Sequence, residues 1–115
     1  LIDFSGLRFG NITPTDIAGF IDFGNRAFVI LEYKRGDNDM PYGQRLALQR
    51  MADRDDVPTY VLVGRHENGS GDIDGGAAIL TEIYHDGRWR KIAHRRLTIR
   101  ECCELILTKH GMVAS

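Results

Sequence analysis

The 115-residue sequence predicts a single domain of the α+β (α/β) class, in which a mixed central β-sheet is flanked by helices. Two observations predict this class. Strand patterns occur in pairs joined by tight turns, and a helical pattern separates the first pair from the most apolar strand pattern. A strand, helix, strand order indicates a crossover connection between parallel strands. Hydrophobic residues make up 43% of the chain and charged residues 27%, which is typical of a globular domain.

The first predicted hairpin runs from Asp16 to Lys34 and turns near Gly24. Side chains alternate between the faces of a strand, so Asp16, Glu32 and Lys34 share a face only if opposed residue numbers have an even sum. A three-residue loop over 24–26 gives a sum of fifty, placing Asp16 opposite Lys34 and diagonal to Glu32. A two-residue Gly-Asn turn would place Asp16 on the other face. Gly and Asn suit both turns, so the turn residues leave both alternatives open.

A helix is expected next, from about Pro41, which suits a first helical turn, to Arg54. Leu48 and Met51 lie on the same side of this helix as Gln44, because residues three or four positions apart share a helical face. We therefore expect Gln44 at one end of the face that packs on the sheet.

The remaining elements follow in simple order. Residues 59–63 predict a buried strand, residues 64–76 a loop, and a second hairpin over 77–93 turns at Asp86 and Gly87. A two-residue turn there pairs Tyr84 with Trp89 and Glu82 with Lys91. A last helix covers the sheet and ends near Gly111. It begins with a capping box formed by Thr98 and Glu101. Its apolar stripe consists of Ile99, Cys102, Cys103 and Ile106.

Two carboxylates and an ammonium group at one edge of a sheet form a site for a hard divalent cation. Asp16 and Glu32 would supply the oxygen ligands, and Lys34 would stand next to them. This is the chemistry that hydrolysis of a phosphodiester needs. A Glu-x-Lys sequence at a strand end is also common as a solvated edge that prevents aggregation. A structural α+β module whose acids are surface residues is therefore one alternative.

A further set of residues falls in a recognisable order: an acid after Pro-Thr, a glycine in the strand, Glu-x-Lys, and a helix that opens with Gly-Gln. These are Pro14, Thr15, Asp16, Gly19, Glu32, Tyr33, Lys34, Gly43 and Gln44. Over residues 10–65 this order resembles the PD-(D/E)XK nuclease superfamily, especially its small phage-type and replication-repair nucleases. The resemblance implies a restriction-endonuclease-like fold over residues 1–115.

The resemblance also implies an activity and the roles of individual residues. It implies an endonuclease or exonuclease that cleaves DNA in replication, repair or recombination and leaves 5′-phosphate and 3′-hydroxyl ends. Asp16, Glu32 and the backbone carbonyl of Tyr33 would bind Mg²⁺ or Mn²⁺. Lys34 would position or help activate the attacking water, and Gln44 would support the site. The alternative is a non-catalytic domain of the same fold that binds nucleic acid or a protein partner.

One departure from the family pattern concerns the N-terminus. The related nucleases usually carry a helix, often with a Glu, before the first strand, whereas residues 1–15 show no helical periodicity and predict only a short strand over 7–9. Three explanations stay open: the helix lies in an absent segment, a second subunit of a homodimer supplies it, or the site is incomplete. Ala18 also stands where related sequences often carry a second acid.

Six basic residues without an acid among them predict a strip that contacts DNA phosphates, although the net charge of the chain is −1. A solvated hairpin rim is the alternative. The six residues are Arg88, Arg90, Lys91, Arg95, Arg96 and Arg100.

Other classes of site find less support in the sequence. Cys102 and Cys103 are adjacent and lack the spacing of a metal site, so we expect reduced thiols and a cytoplasmic protein. Asp72 and Asp74 begin a calcium-loop pattern, but Ile83 stands where that loop needs an acid. No membrane span, signal segment, histidine ligand spacing or phosphate-binding loop is visible.

Overall fold

Five strands form one sheet whose spatial order, β1-β2-β3-β4-β5, follows the order of the chain. In this computed structural model the described residues are 3, 5–12, 14–15, 17–36, 38–54, 56–67, 73–92 and 96–112. β2 and β3 are parallel, and the other neighbours are antiparallel. The strands are β1 (Gly19–Asp22), β2 (Phe28–Arg35), β3 (Thr59–His66), β4 (Ile79–His85) and β5 (Arg88–Lys91). The predicted mixed sheet is therefore confirmed.

One helix packs on each face of this sheet. Helix α1 (Tyr42–Asp53) connects the parallel strands β2 and β3, and helix α2 (Ile99–Lys109) follows β5. Leu48 of α1 is fully buried in one core cluster with residues of β2, β3 and β4. Ile99, Cys102 and Ile106 of α2 are buried in a second cluster on the other face, as the predicted apolar stripe requires. The domain thus has three layers and two apolar cores.

The first hairpin has the even register that the site hypothesis requires. Gly19 opposes Leu31 and Asp22 opposes Phe28, so opposed numbers sum to fifty and the loop is 24–26. The loop contains two residues with positive φ, 61° at Gly24 and 62° at Asn25. The Asn25 N–H also donates to the side chain of Asp22 at 2.7 Å, which helps fix this loop.

Strand β1 is shorter than predicted at its start. It begins at Gly19 and not at Asp16, and Ala18 lies in a bend before it. β1 is an edge strand that pairs with one neighbour only, and Ala has a low strand propensity, so little holds residues 17 and 18 in the ladder. Asp16 lies outside the described residues, and so does its predicted pairing with Lys34.

Two other expectations near the N-terminal half are wrong. Met51 does not face the sheet and is 46% exposed, because the buried side of α1 follows a spacing of four residues through Gln44, Leu48 and Ala52. The strand expected over 7–9 is replaced by a short 3₁₀ helix, Ser5–Leu7, and a single bridge between Phe9 and Ile12. A lone bridge does not build a ladder, so no strand forms there.

The second half of the domain agrees more closely with the sequence. Tyr84 pairs with Trp89 and Glu82 with Lys91 across a two-residue turn, in which Asp86 has a φ of 54°. The capping box at the start of α2 is present, with the Thr98 side chain accepting from the Glu101 N–H. β3 extends beyond the expected residue 63 to residue 66, because it pairs with the full length of β2. The second hairpin is shorter than expected, with strands over 79–85 and 88–91.

A bulge in β4 decides which side chains reach which helix. The register shifts between the pairs Val63–Glu82 and Gly64–Leu80, which makes Thr81 the extra residue. Leu80 consequently packs in the α2 core, while Glu82, two residues later, turns toward α1. In the described part of the chain, no helix is long and apolar enough to cross a membrane.

Candidate active site

Three of the predicted site residues meet where the end of β2 lies under the start of α1. Gln44 donates from Nε2 to Glu32 Oε2 at 2.6 Å and accepts from Lys34 Nζ at 3.0 Å. Lys34 Nζ also lies 3.8 Å from Glu32 Oε1. A carboxylate, an ammonium group and an amide therefore form one hydrogen-bonded polar cluster.

The local structure explains why the three side chains meet. Ile30, Glu32 and Lys34 alternate with the residues that face α2, so all three point toward α1. Ile30 and Leu48 belong to the same buried core, and Gln44 lies one helical turn before Leu48. The packing of Leu48 over the middle of β2 thus brings Gln44 over its end.

Glu32 is a buried carboxylate with several hydrogen-bond donors around it. The residue is 7% exposed, and its Oε1 accepts from the Tyr33 N–H at 3.2 Å in addition to the contacts with Gln44 and Lys34. Burial of a carboxylate is costly unless the charge is compensated, and here an ammonium group and an amide compensate it. A carboxylate offers about four lone-pair positions, so these contacts are compatible with a further bond to a cation.

The backbone of Tyr33 points toward the same edge of β2 as this carboxylate. The Phe23 N–H donates to the Ala27 carbonyl at 2.9 Å, so the odd-numbered residues of β2 direct their backbone groups toward β1. Tyr33 is odd-numbered, so its backbone N–H and carbonyl also point toward the β1 side. The N–H groups of the even-numbered Phe28 and Gly36 donate toward the β3 side instead. The Tyr33 side chain lies on the α2 face, where its hydroxyl donates to the Gly75 carbonyl at 3.0 Å and burial raises its pKa.

These oxygens fit a hard cation by their chemistry. A buried carboxylate and a backbone carbonyl directed to the same strand edge are ligands that Mg²⁺ accepts. Within the described residues β1 pairs with β2 only as far as Leu31, which leaves that edge of Tyr33 without a paired strand residue. Asp16, the second predicted carboxylate, lies outside the described residues. Among those that are described, no group of three His, Cys, Asp or Glu side chains could hold a metal ion.

A cleft of about 680 Å³ opens above Glu32, Lys34 and Gln44. Its walls come from α1 and from the N-terminal segment that contains Ile12 and Thr15, so a substrate entering from solvent would reach the polar cluster at its floor. Arg50 also lines this cleft, a residue that the sequence patterns did not single out. The apolar pattern of α1 identifies only the helix face that packs on the sheet. Arg50 lies on a different face, so this pattern could not predict its place in the cleft.

The predicted basic strip is divided by the structure. Lys91 pairs with Glu82 on the α1 face, whereas Arg88 and Arg90 project from the opposite face of β5. Arg100 lies on α2 and forms an ion pair with Glu104 at 3.8 Å. Arg96 is exposed, and Arg95 is outside the described residues. Strand alternation separates neighbours in sequence, so the described members do not form a single surface; their proposed contact with DNA stays a prediction.

A second charged pair lies beside the first on the α1 face. Arg45 donates two parallel hydrogen bonds to the Glu82 carboxylate, both 2.9 Å, and its guanidinium lies 4.4 Å from the centre of the Trp89 ring. The hydrogen bonds to Glu82 raise the pKa of Arg45. Sequence reasoning assigned Glu82 only to a pair with Lys91, since a long-range partner on α1 leaves no local signal.

The competing candidates have structural roles in the described residues. Asp22, a further acid of the first hairpin, is exposed and accepts from the Asn25 N–H in the first turn. Cys102 and Cys103 are both free thiols, as predicted, and burial raises the pKa of Cys102 to about 11. Asp72 lies outside the described part of the chain.

Comparison with protein-family models, with curated proteins and with solved structures gave no match to this chain. The site is therefore interpreted from its own geometry.

Proposed function

We propose that this domain is a metal-dependent nuclease of the PD-(D/E)XK kind, with a restriction-endonuclease-like fold, which hydrolyses DNA in replication, repair or recombination. One observation carries the proposal. Glu32, Lys34 and Gln44 come from a strand and a helix and converge within 3.8 Å of one another at the floor of a cleft. Surface charges that only guard a strand edge would have no reason to form a hydrogen-bonded cluster around a buried carboxylate under a helix.

The register of the first hairpin supports the proposal independently. It is even from Gly19 to Asp22, the parity that a strand continuing to Asp16 would need to share a face with Glu32. The arrangement of Glu-x-Lys on β2, followed by α1 and the parallel strand β3, is consistent with the family pattern named above.

Glu32, the Tyr33 carbonyl and the predicted ligand Asp16 would hold Mg²⁺ or Mn²⁺. Such an ion, when bound, lowers the pKa of water and neutralises negative charge on a phosphate. The Tyr33 hydroxyl bond to Gly75 anchors that residue from the opposite face of the sheet, so the carbonyl is held in place by both its strand and its side chain.

Lys34 provides the positive charge for the reaction. An ammonium group has three N–H donors, so the bond to Gln44 leaves donors that can orient a water molecule or contact a phosphate oxygen. Its charge stabilises the additional negative charge of the pentacovalent transition state. Gln44 fixes the positions of both charged groups, because its amide bonds to Glu32 at one end and to Lys34 at the other.

The test is cleavage of supercoiled and linear DNA in Mg²⁺, in Mn²⁺ and in EDTA. We expect cleavage with either metal, none in EDTA, and none with Glu32→Gln, which keeps the shape of the side chain but removes its charge. Glu67→Gln, on an exposed residue outside the cleft, is the matched control and should cleave like the wild type. Equal cleavage rates for Glu32→Gln and the wild type would refute the proposal.

A non-catalytic domain that binds nucleic acid is the second candidate. The observation in its favour is that Glu32, Lys34 and Gln44 already form hydrogen bonds with one another. Such a domain would bind DNA with an affinity that falls as salt rises, because neutralised phosphates release counterions, and would show no cleavage with any metal. Arg95→Ala with Arg96→Ala would then reduce both the affinity and its salt dependence.

A further inference from the structure

One face of α1 lines the cleft instead of the core. Gly43, Leu46, Ala47 and Arg50 follow the three- and four-residue spacing of a single helical face, and all four border the cleft. The distance from the first to the last along the helix axis is about 10 Å. The catalytic cluster therefore lies at one end of a groove with Arg50 near the other.

The charge of this groove suits a polyanion. Of the described residues that line it, Lys34 and Arg50 are cations and Glu32 is the single carboxylate, which is itself paired with Lys34. Because Lys34 and Glu32 compensate each other at one end, the net positive charge of these residues is that of Arg50 at the other end, which attracts a phosphate group.

Large apolar side chains are exposed in the two segments that form the groove. Ile12 lines it and is 72% exposed, and Phe9, which is bridged to Ile12 by two backbone hydrogen bonds, is 68% exposed. On the helix side Tyr42, between the lining residues Pro41 and Gly43, is 78% exposed. Aromatic side chains beside a positively charged groove are the usual platforms on which unpaired bases stack.

The size and depth of the groove limit what can reach its floor. A volume of about 680 Å³ is that of a small-molecule site, enough for about one or two nucleotides. Glu32 is 7% exposed at the floor, so a phosphate must enter the groove to approach it. A single strand is narrower and more flexible than a duplex, so it can follow such a groove more easily.

We propose that this groove binds a single unpaired DNA strand, with bases stacked on Phe9 and Tyr42 and a phosphate at Lys34. The inference rests on the nuclease function proposed above and specifies its substrate class: unpaired strands or single-stranded flaps and ends. A single strand is the occupant because exposed aromatic rings lie in the two segments that form the groove while Lys34 and Arg50 line it, a combination that a purely apolar partner would not require.

The test measures binding without cleavage. Fluorescence anisotropy in EDTA compares a labelled single-stranded 12-mer with a hairpin duplex of the same base composition. We expect the single strand to bind at least ten times more tightly than the duplex. Tyr42→Ala and Phe9→Ala should each weaken single-strand binding about 5- to 100-fold, in line with the loss of one stacked base. Leu105→Ala, which removes an exposed apolar side chain on α2, should have no effect.

Several outcomes would overturn the inference. These are equal affinity for single strand and duplex, wild-type single-strand binding by the Tyr42→Ala and Phe9→Ala variants, or equal cleavage rates on both substrates. Concentration-dependent dimerisation that both variants abolish would show that Phe9 and Tyr42 join two copies of the chain, and would also overturn the inference. Tight single-strand binding that Tyr42→Ala weakens, without cleavage in any metal, would support the inference and refute the nuclease function.

Discussion

The two faces of the sheet bury different kinds of side chain. The face under α2 has a core of nine buried residues of the described chain, none of them charged: Ala27, Val29, Tyr60, Leu62, Ala78, Leu80, Ile99, Cys102 and Ile106. The face under α1 has a smaller apolar core, and next to it lie the carboxylates of Glu32 and Glu82, 7% and 8% exposed.

This difference distinguishes the face that stabilises the fold from the face that holds the charged clusters. Apolar burial stabilises a fold by about 25 cal/mol per Å², whereas a buried carboxylate must recover its desolvation cost from a cation or from hydrogen bonds. The α2 face therefore carries stability. The α1 face has less apolar packing and contains two clusters in which a buried carboxylate is compensated, one at Glu32 and one at Glu82. The cleft opens over the cluster at Glu32.

The largest expected effect is on catalysis at the α1 face. In the proposed nuclease, Lys34→Ala would remove the charge assigned to stabilising the transition state, and we expect cleavage to fall about 10²–10³-fold. Binding of Mn²⁺, measured by calorimetry, should be largely retained because Lys34 is not a ligand. Lys109→Ala, an exposed lysine at the end of α2, is the control for loss of charge and should cleave normally. Cleavage by Lys34→Ala at the wild-type rate would contradict the assigned role.

Core truncations on the two faces should separate stability from function. Leu80→Ala on the α2 face and Leu48→Ala on the α1 face remove equally buried side chains, and each should lower the free energy of unfolding by about 3 kcal/mol. Urea denaturation measures this loss. Only Leu48→Ala should also reduce cleavage per folded molecule, because Leu48 sets the position of α1 and hence of Gln44. If Leu80→Ala reduced it equally, the two faces would not be independent.

The second charge cluster should contribute less. Glu82→Gln leaves Arg45 without its charged partner, and since Arg45 is partly solvated we expect a loss of about 1–2 kcal/mol in unfolding free energy. The double variant Arg45→Met, Glu82→Gln should recover part of this loss, as no unpaired charge remains. A double-mutant cycle measures the coupling. Strictly additive losses would mean that the bidentate pair contributes nothing.

The smallest expected effect concerns pH and the α1 core. Burial, together with the bond from the Tyr84 hydroxyl to Asp53 at 2.6 Å, raises the pKa of Tyr84 to about 12. A raised pKa means that neutral Tyr84 stabilises the fold fully below pH 10, its ordinary value, and that this contribution is lost as the pH rises toward about 12. Tyr84→Phe should cost about 1 kcal/mol at pH 8.

Urea denaturation at several pH values between 8 and 12 tests this expectation. Tyr84→Phe should flatten the decline in stability over that interval, and Tyr42→Phe, on an exposed tyrosine, should not. A decline of the same steepness in the Tyr84→Phe variant would show that other groups control it.

Local signals predicted the elements well, and long-range packing accounts for the differences. The turn at Asp86 and Gly87 and the capping box at Thr98 depend on residues within a few positions, so the sequence specifies them directly. The exposure of Met51 could not be predicted from periodicity, because three- and four-residue spacings both define a helical face and only the sheet selects between them.

For the candidate site, the sequence by itself determined the residue types and their order along the chain: a carboxylate and an ammonium group two apart on a strand, then a helix that begins with an amide. The tertiary structure decided the rest. It selected the three-residue loop that gives the even register, and the packing of Leu48 brought Gln44 onto both charged groups. It also paired Arg45 with Glu82 and divided the basic segment between two faces. These contacts join residues far apart in the chain, so their energies depend on how helix and sheet pack, which no local pattern encodes.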